Sequence, residues 1–290
     1  LKIHIRYPHW LCIWETRQFR WKRVDSKLAN YPRFRSVVFG NLVEIQQTQH
    51  GIEFTCYPSK EIDLLPAIKN YLRLQDDLST IYASMEMDKR IMSSISEYAG
   101  MRILSQDPWE CLISFICSSA SNIPKISRNI ESLCSAFGKP IRIKSKTYYS
   151  FPSPNELANA TEHEIRNLGL GFRSIYVSKV SAIVASGEFD LHSLKHMSYQ
   201  KALDRLTLLP GVGDKVANCV LLFSLNKLEA FPVDVWIQRV IKEWYSPLDP
   251  NLEKIPDSQL RHWAQKRFGE YSGYANHYLF HKRRLQGRHR

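Results

Sequence analysis

The chain has 290 residues, enough for two domains or several helical layers around a substantial core. Hydrophobic residues make up 44%, ordinary for a soluble globular protein, and no apolar run is long enough for a helical membrane span. Forty Lys and Arg against 28 Asp and Glu leave a net charge of +12, which argues against a cationic partner and favours a polyanion, although a solvated basic surface carries the same charge.

Residues 1 to about 57 carry strand patterning. Val43 and Ile45 alternate with polar neighbours, as do Ile52, Phe54 and Cys56, and turns are signalled at Gly40-Asn41 and His50-Gly51. An antiparallel sheet with one buried face is expected. With the connection over 58–76 it makes an N-terminal subdomain, 1–76, ahead of a helical domain, 77–290.

In that second part Asp107 and Pro108 predict an N-cap and first-turn proline for a helix carrying Trp109, Leu112, Phe115 and Ile116. Pro124 opens another, with Ile126, Ile130, Leu133, Cys134 and Phe137 on one face and Gly138 at its end. Thr161 and Glu164 form a capping box before a short helix stopping at Gly169. Tyr176, Val180, Ile183 and Val184 line the next, ended by Gly187. The last two helices are placed at Asp257 to Phe268 and Tyr271 to about Arg283, with a frayed QGRHR tail.

The six cysteines, Cys12, Cys56, Cys111, Cys117, Cys134 and Cys219, include no CxxC pair and read as reduced thiols. No signal peptide is seen. An intracellular protein is expected, in the cytoplasm or nucleoid of a prokaryote or the nucleus of a eukaryote. Leu1 rather than a methionine opens the chain, leaving room for an initiator residue or short leader before it.

The most informative stretch runs from Leu206 to Tyr245. Its lead-in is apolar and helical, turns sharply at Leu209-Pro210-Gly211-Val212-Gly213, and enters a second helix at once, so the hairpin spans about 206–226. Gly211 and Gly213 permit backbone that a side chain would block, and bare N–H groups at a helix N-terminus suit an anion. The reading is a grip on one nucleic-acid phosphate.

Lys215 lies in the first turn after the hairpin, and Asp234 follows nineteen residues later in Pro232-Val233-Asp234-Val235. The helix dipole and a phosphate act on the lysine charge in opposite directions, which leaves its protonation state open. An amine set in an apolar wall can serve as a nucleophile, and a carboxylate can stabilise an oxocarbenium-like sugar. Together they suggest cleavage of a glycosidic bond by an amine. Each has a plainer role as well, Lys215 as a phosphate contact and Asp234 as a helix N-cap.

Six segments in order, QFRW at 18–21, QDPWECLISFICSS at 106–119, LGLGFR at 168–173, LPGVGDKVANC at 209–219, FPVDVW at 231–236 and GEYSGYANHYLF at 269–280, resemble the helix-hairpin-helix DNA glycosylases. The likeness is to the 8-oxoguanine DNA glycosylase/lyase branch, marked by a lysine just after the hairpin. It implies an α+β, mostly α fold: a small N-terminal antiparallel sheet and two helical lobes around a cleft lined by the hairpin. It implies that Lys215 is the nucleophile and forms a Schiff base, and that Asp234 stabilises charge.

The resemblance also implies that Cys219 and Phe280 sandwich the flipped base. Asn276 stands where a base-edge residue, usually glutamine, is found. Phe172 matches the wedge that fills the vacated stack, normally tyrosine, and Arg173 a reader of the orphaned base. Asn122 and Lys125 belong to the turn facing the opposite cytosine, where Ala120 and Ser121 replace two asparagines and Lys125 an arginine. A methyl cannot hydrogen-bond and lysine cannot form a bidentate fork, so looser discrimination of the opposite base is expected. Trp236 replaces a phosphate-contacting histidine.

The usual Gly-Gln-x-Phe-Arg-Trp pattern lacks its glycine at Glu15-Thr16-Arg17-Gln18-Phe19-Arg20-Trp21, which bears on lesion selectivity. No iron–sulfur cluster is expected, since no cysteine follows Cys219. No cofactor is required, apart from a possible monovalent cation at the hairpin. The partner is double-stranded DNA holding a damaged base, with no membrane, and the protein is expected to be a monomer. A glycosylase for alkylated or mismatched bases would share the fold and Asp234 without needing Lys215; a non-catalytic DNA-binding module would use neither.

Overall fold

The computed structural model describes residues 2–4 (backbone only), 19–25, 31–49 and 51–286. Strands β1 (Lys2–His4), β2 (Lys22–Arg23), β3 (Arg33–Val38), β4 (Asn41–Thr48) and β5 (Gly51–Tyr57) form one antiparallel sheet in the order β1-β5-β4-β3-β2. The period of two puts Val43, Ile45, Ile52 and Phe54 on its buried face, and Ile45 pairs directly with Phe54. The first turn falls one residue earlier than the sequence suggests. Phe39 and Gly40 take φ of 51° and 70°, the left-handed pair of a two-residue hairpin, and Asn41 already belongs to β4. The second expected turn, at His50-Gly51, includes His50, which lies outside the described residues.

Residues 58–76 are more than a connection. Helix α1 (Glu61–Tyr71) fills most of them, and Pro66 inside it hides the pattern by removing one backbone bond. Leu64, Ile68 and Tyr71 still form one buried stripe at helical spacing. Helices α2 (Leu78–Ala83), α3 (Lys89–Glu97) and α4 (Pro108–Cys117) each start with an aspartate, Asp77, Asp88 or Asp107, accepting first-turn N–H groups.

Helix α5 (Ile123–Phe137) ends at Gly138 as expected. A small hairpin, β6 (Pro140–Ile143) and β7 (Lys146–Tyr149), was not anticipated; its Ile141 packs with Val37 and Leu42 of the main sheet. Capping boxes at Ser153/Glu156 and Thr161/Glu164 open α6 (Pro154–Ala158) and α7 (Glu162–Ile165). Then come α8 (Arg173–Ala185), α9 (Tyr199–Thr207), α10 (Asp214–Ser224), α11 (Val235–Tyr245), α12 (Asp257–Phe268) and α13 (Ser272–Gln286). The last helix runs to Gln286, and the rest of the tail lies outside the described residues.

Helix α10 is the axis of the molecule. Val216 to Ser224 are all buried, the signature of a helix surrounded on every side. One lobe, α4 to α8, packs together, and α10 lies against α4 and α9. The other, α11 to α13 with α3, meets α10 where the Phe223 ring contacts His277. One large apolar cluster runs from Phe19 to Phe280 and joins the buried face of the sheet to the helices.

Candidate active site

The turn between α9 and α10 is closed by Val212 N–H donating to the Leu209 carbonyl at 3.1 Å. Gly211 has φ of +77°, and a Cβ there would lie 2.5–2.9 Å from the Cβ and ring of Tyr176 on α8. Only glycine fits. Gly213 differs: its backbone is extended (φ −90°, ψ −177°) and nothing among the described residues comes within 4 Å of a Cβ placed there. It is the N-cap of α10 with no side-chain cap, so the first-turn N–H groups open onto free space. Asp214 would repel an anion there, but Arg261 holds its carboxylate at 3.0 Å and Asn218 donates to it at 3.1 Å. An uncapped helix N-terminus with its nearest acid neutralised is the geometry of an anion site.

Lys215, one residue on, turns inward. It is half-buried, its Nζ donates to Ser118 Oγ at 2.6 Å, and it lies 5.3 Å from the centre of the Phe115 ring. Ser118 ends α4 and gives its own hydrogen to the Phe115 carbonyl at 2.6 Å. Phe115 stacks on Phe223 and meets the edge of Phe19, both at 5.6 Å. The amine therefore sits against a wall built from three separate sequence segments. Ser118 and Phe115 were not singled out as partners of Lys215, because only the packing of α4 on α10 brings them together.

Arg20 and Trp21, next in the chain after Phe19, tie that wall to its surroundings. Arg20 donates to the Tyr149 carbonyl at 2.6 Å and reaches Glu110 and the Val37 carbonyl at 3.4 Å; Trp21 Nε1 donates to Tyr71 at 2.8 Å. Burial raises the Glu110 carboxyl above its ordinary value, and the Arg20 charge only partly offsets this. Glu15 to Gln18, expected near the lesion, lie outside the described residues.

Asp234 caps α11, accepting from Trp236 N at 3.1 Å and Ile237 N at 2.9 Å. Its loop is pinned from behind by Asn276, whose Nδ2 donates to the Pro232 carbonyl at 2.8 Å. One of the two Asn276 amide N–H groups is committed to the scaffold, and the second N–H and Oδ1, which is buried and without a hydrogen-bond partner among the described residues, remain to offer. Cys219 and Phe280, expected as the two faces of a base slot, are both buried in the core. Trp236 is half-buried beneath Arg239, whose guanidinium carbon lies 5.4 Å from the indole centre. No motif in the sequence marks Arg239 for this place.

The wedge segment is exposed as expected: Phe172 is 49% accessible for so large an apolar ring. Arg173 is not. It is buried, lies 4.5 Å from the centre of the Phe172 ring, and donates to the carbonyls of Ser119 (Nε at 2.7 Å, and again through a terminal nitrogen), Ala120 (2.8 Å) and Leu170 (3.2 Å). Four of its five N–H groups serve the backbone, which leaves one N–H to meet an orphaned base. Asn122 Oδ1 caps α5 by accepting Lys125 N–H at 3.0 Å, which leaves the Asn122 amide donor and the half-buried Lys125 ammonium at the turn. Beside them Ala120 holds a left-handed φ of 47°.

A concavity of about 560 Å³ between Arg20, Glu110 and Pro152 is lined by none of these site residues. Burial pushes the Cys117 and Cys134 thiols up to about 12, so neither is poised to react at neutral pH. Among the described residues no helix is long and apolar enough to cross a membrane.

Comparison with known proteins bears on this arrangement. The N-terminal domain of 8-oxoguanine DNA glycosylase matches residues 5–112, and the HhH-GPD superfamily of base excision DNA repair proteins matches residues 113–265. A probable N-glycosylase/DNA lyase of Methanothermobacter thermautotrophicus is 32% identical over 234 residues, covering 74% of this chain and 73% of that protein. The N-glycosylase/DNA lyase OGG1 of Arabidopsis thaliana is 30% identical over 278 residues, 90% of this chain and 73% of the relative. Among solved structures, the 8-oxoguanine glycosylase/lyase of Clostridium acetobutylicum, bound to double-stranded DNA with cytosine opposite 8-oxoguanine, superposes with a TM-score of 0.85 at 30% identity, covering 93% of this chain and 89% of that one.

Proposed function

The chain belongs to the 8-oxoguanine DNA glycosylase family of the HhH-GPD superfamily, and from that premise we propose that it excises 8-oxoguanine from duplex DNA and then cleaves the strand, with Lys215 as the nucleophile. The observation that carries the reading is the Lys215 amine, drawn off the surface onto Ser118 beside an uncapped helix N-terminus. A DNA phosphate on the α10 N-terminus brings the sugar backbone close to that amine. The base must leave the stack to be reached, and the exposed Phe172 ring supplies the apolar wedge for the gap.

The amine bonds to the anomeric carbon as the base departs with the glycosidic electron pair. Ring opening gives a protonated imine, which acidifies the neighbouring carbon; loss of that proton expels the 3′-phosphate by β-elimination. Asp234, fixed by two backbone N–H groups, contributes the negative charge that stabilises the cationic sugar during displacement. These bond changes call on no redox or organic cofactor. A monovalent cation on the hairpin carbonyls, bare of side chains at Gly211 and Gly213, would strengthen the phosphate grip. The protein acts as a monomer, inside the cell.

Borohydride trapping on an 8-oxoguanine duplex tests the reading. A covalent adduct is expected with the wild type and none with Lys215→Gln. A wild type that excises base without a trappable adduct would point to water-based chemistry instead.

A further inference from the structure

Two loops expected to face a gapped duplex are joined to the nucleophile by hydrogen bonds. The turn over 118–122 links α4 to α5, and the wedge at 171–173 leads into α8, whose first residue is Arg173. Arg173 bridges them: its guanidinium lies on the Phe172 ring and grips the carbonyls of Ser119 and Ala120. At the start of the same turn Ser118 accepts from Lys215.

The direction of that last bond matters. The one hydroxyl hydrogen of Ser118 is given to the Phe115 carbonyl, so only oxygen lone pairs face the amine. Lys215 must then spend an N–H on Ser118, which keeps the nitrogen lone pair of the neutral amine clear for the sugar carbon. A serine free to rotate its hydrogen toward the amine would cover that lone pair. Burial of Arg173 keeps the turn in place, with carbonyl acceptors fixed from the other loop.

Resting on the amine chemistry proposed above, we propose that Ser118 is a positioning residue for Lys215 and that Arg173 is the strut holding its turn. Movement of the wedge on entering DNA is thereby passed to the nucleophile. Rearrangement at Phe172 shifts Arg173, Arg173 shifts the carbonyls of Ser119 and Ala120, and Ser118 moves with them.

The experiment compares wild type, Ser118→Ala, Ser118→Thr, Arg173→Lys and the Ser118→Ala/Arg173→Lys double variant. Lesion-duplex affinity, single-turnover base release and the borohydride trapping rate are measured for each. Ser118→Ala should bind within about twofold of wild type but release base and form adduct about 10–100-fold more slowly, the scale of a nucleophile misplaced by about an ångström. Ser118→Thr, which keeps the acceptor, should recover most of that rate. Arg173→Lys cannot keep the forked contacts and should slow adduct formation as well. If both act through one path, the double variant is no slower than the slower single one.

An undiminished Ser118→Ala rate, failure of threonine to rescue, or losses that multiply in the double variant would each overturn the link. Should Ser118→Ala lose its melting transition, Ser118→Cys, similar in shape with a weak acceptor, replaces it with the same expected slowing. A wild type that gives no adduct would instead sink the amine chemistry, so the two failures are distinguishable.

Discussion

Adding one methyl at Gly211 or at Gly213 should give opposite results, although the two residues are separated by one position. At Gly211 an alanine meets two penalties. A left-handed φ costs an L-residue about 1–2 kcal/mol, and here φ is +77°. The new Cβ would also fall 2.7 Å from the Cβ of Tyr176, an atom fixed to the α8 backbone, and such overpacking costs about 1–3 kcal/mol. The sum, about 2–5 kcal/mol, corresponds to a fall in Tm of about 4–20 °C for a chain of this size. At Gly213 the extended backbone suits any residue and the space is open. Loss of unfolded-state freedom favours alanine by about 0.4–1 kcal/mol, roughly cancelling the poorer N-cap. Gly213→Ala should melt within about 2 °C of wild type. Its methyl, however, stands where a phosphate would meet the α10 N–H groups, and duplex affinity should fall about tenfold. Melting curves and fluorescence anisotropy on undamaged duplex decide the matter. A Gly213→Ala protein that binds as wild type would refute the phosphate grip, and a Gly211→Ala protein that melts as wild type would refute the packing argument.

Asp234→Asn keeps a cap as good as aspartate while removing the charge, so stability should hold and base release should fall on the order of 100-fold; full activity would reduce Asp234 to a cap. Asp234→Ala should in addition lose about 1 kcal/mol in denaturant melts. Ala120→Asn should be neutral or stabilising by up to about 1 kcal/mol, because asparagine accepts the left-handed φ of 47° better than alanine, and should sharpen preference for opposite cytosine. Excision opposite each of the four bases measures this, and a wild type already strongly selective for cytosine would contradict it. Glu162 lies below the ordinary carboxylate value of 4.5, first through the Ser174 hydroxyl and then through Arg166. Its contribution is therefore complete above about pH 4.5 and lost as pH falls through the lower folded value. The Tm gap between wild type and Glu162→Gln should be flat above pH 5 and shrink below 4.5; a gap that widens with acid would reverse the sign.

Much of the fold is local chemistry and was legible for that reason. Asp107 with Pro108, the Thr161/Glu164 box, and Gly138 and Gly187 fix helix ends through neighbours a few residues away. The alternation at Val43, Ile45, Ile52 and Phe54 reports one buried sheet face without further context. Where the sequence misled, a distant partner or a conflicting residue intervened. Pro66 argues against a helix that packing of Leu64, Ile68 and Tyr71 nevertheless sustains. The β6–β7 hairpin has little apolar pattern, being held by Ile141 against Val37 and Leu42. In the site, Lys215 and Asp234 follow from the hairpin and from the cap. Ser118 and Phe115 lie about a hundred positions earlier, and no local signal ties them to the amine.

The same distinction explains why the expected DNA-reading side chains proved to be partly engaged already. Asn122 and Asp234 each satisfy first-turn N–H groups, Asn276 satisfies the Pro232 carbonyl, and Arg173 satisfies carbonyls in two segments. A family motif marks which residue types are needed at a position; it does not separate the bond that shapes the loop from the bond that meets the ligand. Here the leftover atoms can be named: the amide donors of Asn122, one amide N–H and Oδ1 of Asn276, and one N–H of Arg173. Either DNA uses those atoms and the scaffold stays as it is, or the turn over 118–122 rearranges and Arg173 is released. The first leaves Lys215 on Ser118 throughout; the second moves both together, and only the second makes amine placement depend on what the wedge has found.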